Sequence, residues 1–139
     1  MKTRKQTYAD CAFKQVGALK KASETEKDPK ASSTRYGSMA HKLPVLIRTA
    51  GLVQALEFVS SRGKEEHKLL LEHLEEAILG QQAKGQKLLA LSREAQLGEY
   101  MRLTRECLSA LLWYKRFAES VLGVKPGDEA DNRAVGGEK

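Results

Sequence analysis

Apolar positions recur at helical spacing along most of this chain. Tyr8, Cys11, Ala12, Val16 and Leu19 follow an i, i+3, i+4 rhythm with Lys14, Lys20 and Lys21 turned outward, which predicts an amphipathic helix over residues 3–22. The polar, proline-bearing stretch SETEKDPKASST (23–34) reads as a loop. Tyr36 to Lys42 reads as a short helix that breaks before Pro44, because the residue ahead of a proline avoids helical geometry. The segment that follows, Leu43 to Val59, is the least polar in the chain, with charge only at Arg48 and Glu57. Pro44 suits a first helical position, where its missing N–H costs nothing, and Gly63 suits a left-handed stop after Arg62. Wound at about 100° per residue, this helix has a narrow wet strip of Gln54, Glu57 and Ser61. Val45, Leu52, Ala55, Leu56 and Val59 lie opposite, with Arg48 in their midst. A helix so apolar is either central in its domain or covered by another protein.

Four further stretches complete the pattern. Lys64 to Leu79 predicts a helix with Glu65 and Glu66 in its first turn, favourable against the helix dipole, and Leu70, Leu71, Leu74, Ala77 and Ile78 facing inward. GQQAKGQ (80–86) reads as a turn and Leu88 to Leu91 as a short helix. Residues 94–122 form the longest helical pattern. Leu97, Tyr100, Met101, Thr104, Cys107, Leu108, Leu111, Tyr114, Ala118, Val121 and Leu122 cover more of its circumference than a surface helix needs. Gly123 and Pro126 end it. No alternating β-branched run or hairpin signal occurs. The expected architecture is all-α, a compact bundle of five to six helices over residues 1–123, with a polar, Gly-rich tail over 124–139 expected to be disordered.

Length and composition narrow the function. At 139 residues the chain suits a single domain that buries a core without staples. A membrane span is disfavoured, since 17 residues at about 1.5 Å each fall short of the roughly 20 a bilayer needs, and Arg48 adds a charge. The formal charge is +6, and it is uneven: residues 1–63 hold 12 Lys/Arg against 5 Asp/Glu, whereas residues 64–122 hold 9 against 9. The basic excess in the first half favours acidic partners. Cys11 and Cys107, each on an apolar stripe, read as small buried hydrophobes in a reducing compartment. With no apolar segment in MKTRKQTYAD to serve as a signal peptide, a cytoplasmic location is expected.

Catalytic chemistry finds little footing. GQQAKGQK has only the G-x4-G of a phosphate-binding loop, with Gln86 where the lysine belongs and no strand before it. His41, His67 and His73 have no i, i+4 partner for a zinc site. Glu72, Glu75 and Glu76 read as a solvated strip. No catalytic residue, metal or cofactor is therefore expected. The cations carry more. Arg102, Arg105, Ser109 and Arg116 line the narrow polar side of the long helix, with Trp113 at its edge. Such a row of guanidiniums can track a phosphate backbone, and an exposed indole offers a stacking face for an unpaired base. The competing reading is a solvated face paired with Glu99, Glu106 and Glu119. Arg48, amid apolar neighbours, must snorkel, pair with a buried carboxylate, or face a partner that supplies the anion, with His41 and Lys42 just upstream.

These residues also carry a resemblance. YGSMAHKLPVLIRTAGLVQALEFV (36–59) resembles the hallmark segment of the small subunit of the type III-B CRISPR effector complex, the Cmr or RAMP-module complex. EYMRLTRECLSALLWYKRFAES (99–120) is similar to that family's C-terminal helix, and the Thr3-Arg4…Tyr8-Ala9…Ala12…Val16 spacing is a third, weaker match. Together they cover about half the chain; residues 23–34, 64–93 and the tail show none. The resemblance implies a helical subunit without catalysis of its own, stacked in a row beside a backbone of larger subunits that hold guide RNA. Its partners would be those subunits, the guide RNA and the target RNA, with self-association left open and no membrane. By the matched segments, contact with RNA or filament would rest on Lys42, Arg48, Lys115 and Arg116; Arg102 and Arg105 are added from the helical wheel. The alternative is an assembly subunit that touches protein only.

Overall fold

Thr3 opens the first helix. Its hydroxyl accepts from the Gln6 N–H at 3.1 Å while the Gln6 side chain accepts from the Thr3 N–H at 2.8 Å, a reciprocal cap that satisfies two otherwise orphaned donors. In the computed structural model, which describes residues 2–25, 28–80 and 87–128, the described residues form six α-helices and no strand. They are α1 (Arg4–Ser23), α2 (Pro29–Ala50), α3 (Leu52–Arg62), α4 (Glu65–Leu79), α5 (Lys87–Glu94) and α6 (Leu97–Ser120). None is long and apolar enough to cross a membrane. The turn expected at 80–86 lies, beyond Gly80, outside the described residues.

The second helix departs most from expectation. The segment 23–34 is not a loop throughout, because α2 starts at Pro29: the Asp28 carboxylate accepts from the Ala31 N–H at 3.2 Å, with proline at the first position. Nor does the helix break before Pro44; Pro44 lies inside it. An interior proline costs about 3 kcal/mol through its missing hydrogen bond and ring clash. Tyr36, Met39, Ala40, Leu43 and Ile47 form one buried face on both sides of it. At roughly 1.5–3 kcal/mol for each large apolar side chain buried, that face outweighs the defect. The break falls instead at Gly51, with φ 93° and ψ 160°, and divides the apolar stretch 43–59 between α2 and α3. One wheel no longer applies across it. Leu52, Ala55, Leu56 and Val59 are buried as expected, but Val45 is 55% exposed and Arg48 is exposed as well.

Helix α2 packs against α1, α3, α4 and α6 and is the centre of the bundle. Two close approaches fix its antiparallel alignment with α6. At one end Gly51 meets Tyr100, whose hydroxyl accepts from the Val53 N–H at 3.1 Å and so caps α3, which has no side-chain cap of its own. At the other end Gly37 meets Val124, just past the end of α6. Val124 is therefore part of the packed structure, 3% exposed, with its carbonyl accepting from His41 Nε2 at 2.9 Å; the expected tail residues 129–139 lie outside the described residues. A β-carbon at Gly37 would stand 2.7 Å from that of Val124. Gly37→Ala should destabilise the chain by about 1–3 kcal/mol, and adding Val124→Gly, which removes all three crowded atoms, should recover most of the loss. Urea unfolding of the four members of the cycle measures the coupling; additive effects would place the strain elsewhere.

Two smaller corrections concern carboxylates and the long helix. Glu75 is buried at 3% exposure, not solvated, because its Oε1 accepts from the Leu88 N–H at 3.1 Å and caps α5. On α6 the inward face is Leu103, Cys107, Ala110, Leu111, Tyr114 and Ala118. Leu97 and Met101, expected inside, are 73% and 50% exposed, and Leu112 is 41% exposed. Both cysteines are free; Cys107 is buried, and burial pushes its thiol pKa up to about 12, so it is an inert apolar filler.

Candidate nucleic-acid and subunit interface

The antiparallel pairing of α2 with α6 sorts the six basic residues into groups. Arg48 stands one turn before Gly51 on α2, and Arg105 lies just over one turn beyond Tyr100 on α6, so both belong to the Gly51–Tyr100 end. Lys42 follows His41, whose ring holds the Val124 carbonyl, while Lys115 and Arg116 precede Ala118, whose carbonyl accepts from the Val124 N–H at 2.8 Å. These three gather at the opposite end. Along α6 the groups are about 15 Å apart, ten residues at about 1.5 Å each.

Arg48 is not locked to an interior acid. It is exposed, with no ion pair among the described residues, and it occupies the last turn of α2 rather than the first turn of a separate helix. A cation at a helix C-terminus is favoured by the dipole. Arg105 is likewise exposed and makes no ion pair among the described residues. Arg116 projects from α6 with its guanidinium 5.6 Å from the Trp113 ring centroid. The indole expected as an open stacking face is instead half-buried, with Phe117 at 6.1 Å on a near-parallel ring. It braces Arg116 rather than waiting for a base. Lys115 and Lys42 are half-buried.

Arg102 leaves this row. Its Nε and Nη2 donate to the two oxygens of Glu99, and its Nη1 donates to Glu106 Oε2 at 2.5 Å. The same Glu106 oxygen accepts from Arg4 Nη1 at 2.9 Å across the α1–α6 seam. The i, i+3 and i, i+4 pairs anticipated as the competing reading therefore form at Arg102. Sequence reasoning missed Arg4 as a neighbour of this cluster; the Thr3-Arg4…Tyr8 spacing is the signal that could have found it.

Polar groups in the interior are structural. Tyr36 Oη lies 2.6 Å from His73 Nδ1, and Tyr114 Oη donates to Gln15 Oε1 and lies 3.0 Å from the His73 carbonyl. Burial lowers the pKa of His73 to about 4. Among the described residues no three His, Cys, Asp or Glu side chains gather as a metal site would require. Apolar surface gathers near the Lys42 group: Val45, Leu46, Phe58 and Pro126 line a cleft of about 300 Å³ beside Lys42.

A family model described as CRISPR-associated protein (Cas_Cmr5) matches residues 4–121. The chain belongs to the Cmr5 family of CRISPR-associated proteins. A curated relative, the CRISPR system Cmr subunit Cmr5 of Thermus thermophilus, is 45% identical over 122 residues, 88% of this chain and 98% of its own length. The crystal structure of a Cmr5-family protein from the same organism aligns with a TM-score of 0.74 at 44% identity, over 87% of this chain and 98% of that one. The Cmr5 match runs through residues 23–34 and 64–93, where no resemblance is legible by eye, and stops at Val121, short of the buried Val124.

Proposed function

We propose that this chain is the small, non-catalytic subunit of a type III-B (Cmr) CRISPR ribonucleoprotein, stacking beside the backbone filament and touching guide or target RNA through basic side chains. The exposure of Arg48 and Arg105 at one end of the α2–α6 pair, with no carboxylate neutralising either among the described residues, carries the reading. An unpaired guanidinium contributes to phosphate attraction in full, whereas one already paired with two acids, like Arg102, contributes much less. Lys42, Lys115 and Arg116 supply a second point of contact about 15 Å along α6. Specificity would rest on base pairing between guide and target, so phosphate contact blind to sequence suffices.

The exposed apolar side chains have a separate use. Leu97, Met101 and Leu112 fall within about 60° of arc on the outward side of α6. Burying each against a neighbouring subunit would contribute up to about 1.5–3 kcal/mol. They favour the second reading, a subunit that contacts protein alone, with the arginines facing acidic partner surfaces. A salt titration separates the two. The isolated chain should bind single-stranded RNA weakly, with a log–log salt slope of about −0.7 per phosphate contacted, and Arg48→Ala together with Arg105→Ala should flatten that slope by about 1.4. An unchanged slope, with complex assembly impaired, would select the protein-only reading.

A further inference from the structure

We propose that the cleft beside Lys42 seats a tryptophan or tyrosine side chain presented by a different protein on an acidic segment. The cleft holds about 300 Å³, and its walls are Val45, Leu46, Phe58 and Pro126, with His41 and Lys42 among them. Val45 and Phe58 are 55% and 38% exposed, so apolar surface is left open to solvent here. His41 is the observation that points to an occupant. The residue is 8% exposed, and its two ring nitrogens fare differently. Nε2 lies 2.9 Å from the Val124 carbonyl, which can only accept, so Nε2 carries the hydrogen. The neutral ring then leaves Nδ1 as a bare acceptor, and that atom is buried without a hydrogen-bond partner. Buried polar atoms of this kind are uncommon, because each costs the desolvation of a group that gets nothing back. An N–H or O–H carried into the cleft on an apolar body would supply the missing donor.

An aromatic ring with a donor at its edge meets both requirements. Trp and Tyr bury a large apolar body and need a partner for the N–H or O–H, and they are enriched among the anchors that fill interface pockets. Electrostatics select what flanks the anchor. Lys42 lines the cleft, the Arg62 guanidinium stands 5.7 Å from the Phe58 ring centroid, and among the described residues no carboxylate lines it. Acidic residues beside the anchor therefore match the rim. A second copy of this chain fits poorly as the donor of that anchor. Tyr8, Tyr36 and Tyr114 are buried, Tyr100 caps α3, and Trp113 is half-buried against Phe117. Residues 129–139 contain neither Trp nor Tyr, so the chain's own end does not supply it either. A nucleobase would leave most of its polar edge unpaired against aliphatic walls. The contact adds to the RNA reading above and does not depend on it.

NMR titrations of the full chain with indole and with indene, its isostere without the N–H, test the site. Indole should shift the His41, Val45, Leu46 and Phe58 signals and bind roughly three- to tenfold more tightly than indene. A short acidic peptide with a central tryptophan should shift the same signals, and bind more tightly than its phenylalanine counterpart by a similar factor. Val45→Glu changes an exposed side chain, so it should keep the fold and abolish these shifts. Indene binding as tightly as indole would mean that Nδ1 takes no part and would overturn the proposal, as would shifts that miss the cleft. Adenosine monophosphate bound there more tightly than indole would make it a nucleotide pocket. A dimer that forms with rising concentration and is lost in Val45→Glu would give the cleft to a second copy. Either of those results also overturns the assignment to a foreign protein.

Discussion

Replacing Gly51 with alanine should cost about 2–4 kcal/mol and lower the melting temperature by roughly 10 °C. The backbone there has φ 93° and ψ 160°, a region essentially closed to side chains, where strain alone costs on the order of 1–3 kcal/mol. The new β-carbon would also stand 3.3 Å from the Tyr100 hydroxyl. That hydroxyl accepts from the Val53 N–H and is the only side-chain cap on α3 among the described residues, so displacing it removes about 1 kcal/mol more. Gly80 provides the comparison. It also has a positive φ, 70°, but lies in the ordinary left-handed region, with nothing within 4 Å of an added methyl among the described residues. Gly80→Ala should therefore cost only about 1 kcal/mol. Urea unfolding of both variants settles the matter: equal losses would mean that the Gly51 geometry and the Tyr100 contact contribute nothing special. Because Gly51 separates Arg48 from the buried face that starts at Leu52, the same substitution should disturb the placement of Arg48 before it disturbs Lys115 or Arg116.

Acidification should weaken the fold early, between pH 6.5 and about 5, before carboxylates protonate. His73 is largely buried, and burial lowers its pKa to about 4 from the usual 6.5. Its Nδ1 lies 2.6 Å from Tyr36 Oη, in a fully buried tyrosine whose phenol pKa is raised well above normal. The tyrosine therefore keeps its proton and donates it to Nδ1, which requires an unprotonated imidazole nitrogen. The sign follows from linkage. The unfolded chain takes up a proton near pH 6.5 while the folded chain refuses it until about pH 4, so stability is complete above 6.5 and falls as pH drops through that window. A shift of that size corresponds to on the order of 3 kcal/mol at its full extent. Unfolding free energies for the native chain and a His73→Gln variant at pH 7, 6 and 5 check it. The variant should be less stable at pH 7 but lose little more on acidification, and a parallel decline in both would assign the pH dependence to other groups. Glu66, whose pKa is lowered despite burial by hydrogen bonds from Arg35 and Ser32, adds its own loss at lower pH, as pH falls from the ordinary carboxylate pKa downward.

Much of the bundle is readable from periodicity because its helices bury one face each. The helix over 3–22, that over 64–79 and the left-handed stop at Gly63 lie within a residue or two of where the apolar rhythm puts them. Local rules fail where tertiary burial outweighs them. Pro44 reads as a helix start, yet buried residues on both sides of it form one face and the helix runs through. Gly51 reads as an ordinary helical residue, yet Tyr100, 49 positions away, is what occupies the break. Once the helix divides there, Arg48 and Val45 no longer share a side with Leu52 and Leu56. Glu75 looks like a surface acid because its partner, the Leu88 N–H, is an orphan donor that no wheel of α4 reveals.

The candidate site divides in the same way. The row of Arg102, Arg105 and Arg116 on the long helix was legible from its wheel, whereas Lys42 and Arg48, expected on separate helices, share α2. Which of them is free to meet a phosphate was not legible, since that depends on where the acids of other turns and other helices fall. The chain's own pattern determined an all-helical fold, an uneven positive charge and the family to which it belongs, because each of these is a property of spacing and composition along one strand. Only folding decided that Arg48 is unpaired among the described residues and that Arg102 shares Glu106 with Arg4. Arg4 and Glu106 are 102 residues apart in sequence, and helical periodicity carries no information beyond its own helix.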